Sequence, residues 1–90
     1  MSVRVHIPTP LRQYTQSQAT VEASGSSIQT LLEDLGQRYP GINDRLFDKG
    51  QVRRFINVYL NDEDIRYLDN LSTPVKSGDE VSIIPAVAGG

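Results

Sequence analysis

The sequence predicts a small α+β domain in which one helix covers one face of a mixed β-sheet. Three observations predict it. The first is a single apolar helical stripe made by Ile28, Leu31, Leu32, Leu35 and Tyr39, spaced as one face of a helix requires. The second is a set of short alternating runs with the period of strands, two before the stripe and three after it. The third is length: 90 residues make one domain with a modest core. A helix with one stripe has one face to bury, so the sheet needs one covered face.

The elements follow in order. Val3, Val5 and Ile7 alternate with Arg4 and His6, which predicts a half-buried strand, and Pro8 and Pro10 end it. Leu11 to Gln18 reads as a polar turn anchored by Leu11 and Tyr14. Ala19 to Ala23 reads as the second strand of a long-looped hairpin. Ser26 and Gln29 have capping-box spacing for the helix start, and Pro40-Gly41 ends the helix. Ile42 and Leu46 predict one further helical turn, and Asp48 to Gln51 a loop. Phe55 to Leu60 is the strongest strand, with Ile56, Val58 and Leu60 toward the helix and Phe55, Asn57 and Tyr59 away from it. Asn61 to Asp64 reads as a turn and Ile65 to Tyr67 as a short returning strand. Leu68 to Lys76 is irregular with room for one helical turn. Ser77 to Asp79 turns the chain into a last strand, Glu80 to Pro85.

The economical arrangement of β-β-α-β-β-β is a β-grasp, or ubiquitin-like, domain over 1–85, with the first and last strands parallel neighbours in the middle of the sheet. The expected core is Val3, Val5, Ile7, Val21, Ile28, Leu31, Leu32, Leu35, Ile56, Val58, Leu60, Val81 and Ile83.

Composition removes several function classes. The net charge is −2, against the basic stripe of a nucleic-acid binder. There is no cysteine, hence no disulfide, thiol nucleophile or thiolate metal site. No apolar run approaches the length of a membrane span, and the first residues alternate rather than form a signal peptide; a cytoplasmic protein is expected. His6 is the one histidine and reads as a surface residue. Asp62, Glu63 and Asp64 read as a solvated turn rather than a cation loop. No catalytic residues, metal site or bound cofactor are expected.

What remains is the end of the chain. After Pro85, residues 86–90 (Ala86, Val87, Ala88, Gly89 and Gly90) have small side chains or none. Extended, they reach roughly 15 Å from the sheet. Such a segment is either a frayed terminus or a probe that threads a partner's active site and presents a carboxylate there. A carboxylate is a poor acyl donor, so chemistry at its carbon needs activation by a partner, usually with ATP.

Size, element order and the Gly-Gly ending resemble the ubiquitin-like sulfur carriers. That family includes the small subunit of molybdopterin synthase and the carriers of thiazole and cysteine synthesis. The resemblance is sharpest over Arg54 to Arg66, Gly78 to Val81 and Ile84 to Gly90, and those stretches look most like the cysteine-synthesis carrier. It implies that Gly90 is adenylated by an E1-like enzyme, which uses ATP, and is then converted to a thiocarboxylate. It implies that Gly89 and the residues before it thread the partner site. The implied acceptor is a pyridoxal-phosphate-dependent cysteine synthase, followed by a zinc metalloprotease that releases cysteine. Molybdopterin synthase small subunit and a ubiquitin-like protein modifier are the alternatives. Phe55, Tyr59 and Ile84 are expected to form a partner-binding patch at the foot of the tail.

Overall fold

A computed structural model describes residues 2–48, 51–52 and 56–85. The strands are β1 (Val3–His6), β2 (Thr20–Ala23), β3 (Phe47–Asp48), β4 (Gln51–Val52), β5 (Ile56–Leu60), β6 (Glu63–Asp64) and β7 (Glu80–Pro85), and the α-helices are α1 (Ile28–Arg38) and α2 (Pro40–Leu46). The main sheet has the order β2-β1-β7-β5-β6, and β3 and β4 form a separate two-stranded ribbon. β1 runs parallel to β7 and antiparallel to β2, and β5 runs antiparallel to β7 and β6. This is the predicted arrangement, with the last strand in the middle of the sheet.

The helix stripe and the inward phase of the strands meet in one core. Val3, Val5, Ile7, Val21, Ile28, Leu31, Leu32, Leu35, Val58, Val81 and Ile83 are buried as expected. Ile56 and Leu60 are half-buried at its margin. Leu11, Ala23, Ile42, Leu46, Ile65 and Val75 complete it. α2 contributes because Ile42 and Leu46, four apart, share one helix face. Val75 contributes because the segment before the last turn crosses the helix start: Val75 N donates to Ser26 O at 3.0 Å, and Ile28 N to Thr73 O at 2.9 Å.

Several boundaries differ from the expectation. The capping box is Ser27 with Thr30 rather than Ser26 with Gln29. Thr30 Oγ1 accepts from Ser27 N at 3.0 Å, while Ser27 Oγ accepts from Thr30 N at 3.3 Å. A threonine hydroxyl closes the box as well as a glutamine amide does, and Gln29 bonds Glu33 instead. The returning strand is Glu63–Asp64, and Ile65–Tyr67 is a 3₁₀ turn. Asp64 causes the change: its carboxylate accepts from Arg66 N at 2.9 Å, which starts the turn and ends pairing. Asp48 and Gln51, expected in a loop, pair in the β3–β4 ribbon.

The β5–β6 turn is built by two residues at positive φ, Asn61 at 50° and Asp62 at 72°. That is the primed geometry a two-residue hairpin needs. Asp62→Gly is expected to raise stability by about 0.5 kcal/mol, because glycine carries no Cβ penalty there. Urea denaturation at neutral pH measures it; a lower midpoint would contradict the turn geometry.

Candidate functional site

The face of the main sheet away from the core carries the remaining chemistry. Strand alternation places Thr20 and Glu22, Arg4 and His6, Glu80, Ser82 and Ile84, and Asn57 and Tyr59 on it. Register joins them in rows: His6 lies beside Ser82 and Ser82 beside Tyr59, while Ile84 lies beside Asn57. The face is therefore divided. Its β2–β1 side is charged, and its β7–β5 side carries the large apolar groups.

Ile84 is 45% exposed, unusual for an isoleucine in a central strand. Tyr59 is half-buried and stands on the diagonal from Ile84 across the β5–β7 pair, within reach for aromatic contact. These two predicted patch residues share one face at the end of β7 that leads to the tail. Phe55, the third, lies outside the described residues. So do Ala86, Val87, Ala88, Gly89 and Gly90.

An exposed aromatic that the sequence pattern did not indicate lies on the neighbouring edge. Tyr67 is 81% exposed, next to Arg66, because the 3₁₀ turn swings it outward where a strand would have paired it. Arg66 is fixed by Asp64, with Nη2 to Oδ2 at 2.7 Å and Nε to both carboxylate oxygens at 3.2 Å. Asp64 is opposite Tyr59 in the sheet, so this pair stiffens the edge beside the patch.

The Arg66 guanidinium and the Arg66 N–H hold the Asp64 carboxyl below the usual carboxylate range, against a smaller opposing effect of burial. Asp34 is shifted the same way, first by the Ser24 N–H, with Arg38 adding to it. Both carboxyls bind protons less readily folded than unfolded. Their contribution to stability is complete above the unfolded value near 4 and is lost as pH falls through the lower folded values. Asp64→Asn is expected to flatten the loss of stability as pH falls below about 4. Denaturant midpoints measured across that range test it, and an unaltered slope would contradict the pairing.

His6 has more company than the sequence indicated. Its Nε2 is 2.7 Å from Glu80 Oε1 and its Nδ1 is 3.3 Å from Thr20 Oγ1. A hydroxyl, an imidazole and a carboxylate in a row have the order of a hydrolytic relay. They lie flat on an open sheet whose neighbouring backbone N–H groups are used in the ladder, so no donors converge on a developing oxyanion. The row reads as a cross-strand link between β2, β1 and β7. Among the described residues no cluster of histidine and carboxylate groups has the make-up of a metal site, and no helix is long and apolar enough to cross a membrane.

A family model described as the ThiS family matches residues 5–90. The chain belongs to the ThiS family. This ThiS-family chain is 47% identical over 93 residues to the sulfur carrier protein CysO of Mycobacterium tuberculosis, with the whole of both chains covered. It is similar in structure to the Amycolatopsis orientalis BexX/CysO complex, at a TM-score of 0.91 and 46% identity over 98% of this chain and 99% of that one. It is also similar to small archaeal modifier protein 1 of Methanosarcina acetivorans, at 0.89 and 30% identity over 99% and 96% of the two chains. The solved relatives have the expected β-grasp fold.

Proposed function

We propose that this protein carries sulfur for cysteine biosynthesis on the carboxyl group of Gly90. The observation that carries this reading is the 47% identity to CysO along the whole of both chains. The identity to the archaeal modifier is lower, 30%, which favours a carrier over a protein modifier.

The chemistry is the partner's. An E1-like enzyme joins the Gly90 carboxylate to the α-phosphate of ATP and releases pyrophosphate. Sulfur delivered as sulfide displaces AMP and leaves a thiocarboxylate. A cysteine synthase holding activated serine on its own pyridoxal phosphate is the acceptor, and a zinc metalloprotease then frees the cysteine. The carrier contributes a substrate atom, a docking face and a tail, and holds no cofactor. Tyr59 and Ile84, with Phe55 four positions before Tyr59 in the sequence, are the docking face, and Ala86 to Gly89 thread the partner's channel. The setting is the cytoplasm, where ATP and pyridoxal phosphate are present.

The sheet supports this role mechanically. β7 is paired along its length, with β1 from Glu80 to Ser82 and with β5 from Val81 to Pro85, so a docked face sets the origin of the tail. Incubation with the E1-like enzyme, ATP and a sulfide source, followed by intact-mass measurement, tests the proposal. The expected result is a gain equal to the difference between sulfur and oxygen. Covalent adducts with lysines of other proteins, and no such gain, would overturn it in favour of a modifier.

A further inference from the structure

Beside the apolar patch is a hollow of about 180 Å³ lined by His6, Asn61, Asp62, Glu80 and Ser82. Glu80 is held on three sides. Its N–H donates to Asn61 Oδ1 at 3.0 Å, its carbonyl accepts from Asn61 N at 2.8 Å, and His6 Nε2 holds Oε1 at 2.7 Å. Asn61 is itself fixed by donating from Nδ2 to Asp79 Oδ1 at 3.1 Å. The carboxylate is thus pre-positioned, and its second oxygen makes no hydrogen bond to another described residue. The Asp62 carboxylate and the Ser82 hydroxyl make no hydrogen bond to another described residue.

Position decides what this hollow takes. Ser82 is directly opposite Tyr59, so hollow and patch share a border. A partner seated on Tyr59 and Ile84 covers the hollow as well. Covering two carboxylates without neutralising them is strongly unfavourable. We infer that the hollow receives a basic side chain of the activating enzyme, an arginine by preference, which lies between Glu80 and Asp62 while the apolar patch packs beside it. This rests on the docking face proposed above. An arginine fork suits the site because it offers several donors in one plane to the Glu80 oxygen, the Asp62 carboxylate and the Ser82 hydroxyl. Charge pairing at such a border sets register and speeds encounter, which a carrier visiting several enzymes in turn requires.

The test uses the full-length carrier and the purified E1-like enzyme, with affinity measured at several salt concentrations. Glu80→Gln keeps an acceptor for His6 and removes the charge. It is expected to weaken binding about tenfold at low salt and to reduce the salt dependence, with an unchanged thermal midpoint. Asp62→Asn is expected to act in the same direction. Tyr59→Ser, measured alongside, is expected to weaken binding without altering salt dependence. If Tyr59→Ser weakens binding and neither charge variant does, the basic side chain is refuted and the docking face stands. If none of the three weakens binding, the docking face falls with it. Sulfur loading of Gly90, read by mass at saturating enzyme, separates both outcomes from failure of the carrier chemistry itself.

Discussion

Deleting Gly90 is expected to abolish thiocarboxylate formation and to leave the thermal midpoint unchanged. The two halves have separate causes. In the proposed chemistry the reacting carbon is that of the Gly90 carboxyl group, and removing the residue draws the carboxyl group back by about 3.3 Å. Reaction geometry tolerates far less, since a displacement near 1 Å can cost a hundredfold in rate. Stability is expected to be untouched because Gly90 has no side chain to bury, and among the described residues the buried apolar ones lie between Val3 and Ile83. Gly89→Val is expected to slow loading strongly while permitting it, since a branched Cβ restricts the backbone where it must pass channel walls. Intact-mass measurement with the activating enzyme reads both. Sulfur on the shortened chain would remove the carrier reading.

Leu32→Ala is expected to destabilise the fold by about 2–5 kcal/mol. Leu32 is fully buried on the α1 face that meets the sheet. Truncation loses its transfer free energy and leaves a cavity that a helix pinned at both ends closes poorly. The Ser27–Thr30 box pins the start, and Tyr39 N bonded to Leu35 O at 2.9 Å pins the end. A domain of this size has about 5–15 kcal/mol of stability, so the loss is a large share of it. Urea denaturation measures it, and a wild-type midpoint would contradict the helix phase.

The helix, the main strands and their phase were legible because local period carries them. Val3 and Val5, or Leu31 and Leu35, declare a face without knowledge of what covers it. The turn at Ile65 to Tyr67 was not legible. Its residues are good strand formers, and the competing signal was a single carboxylate, Asp64, bonding a backbone N–H two residues on. The capping box was displaced by one residue because serines at both 26 and 27 offer the same hydroxyl. Only the path of the chain selects between them.

The candidate site divides in the same way. The small-residue ending and its Gly-Gly were visible in the linear sequence, because the proposed tail is defined by the size and order of consecutive residues. The sequence by itself also determined that no thiol chemistry is available, since no cysteine is present. The surface around β7 was decided only by tertiary structure. His6 meets Glu80 across 74 positions of sequence, and Asn61 staples the start of β7 across 19. Such pairs depend on the register of parallel and antiparallel strands. Register is set by how the apolar faces and turns fit together in three dimensions, and no local period records it.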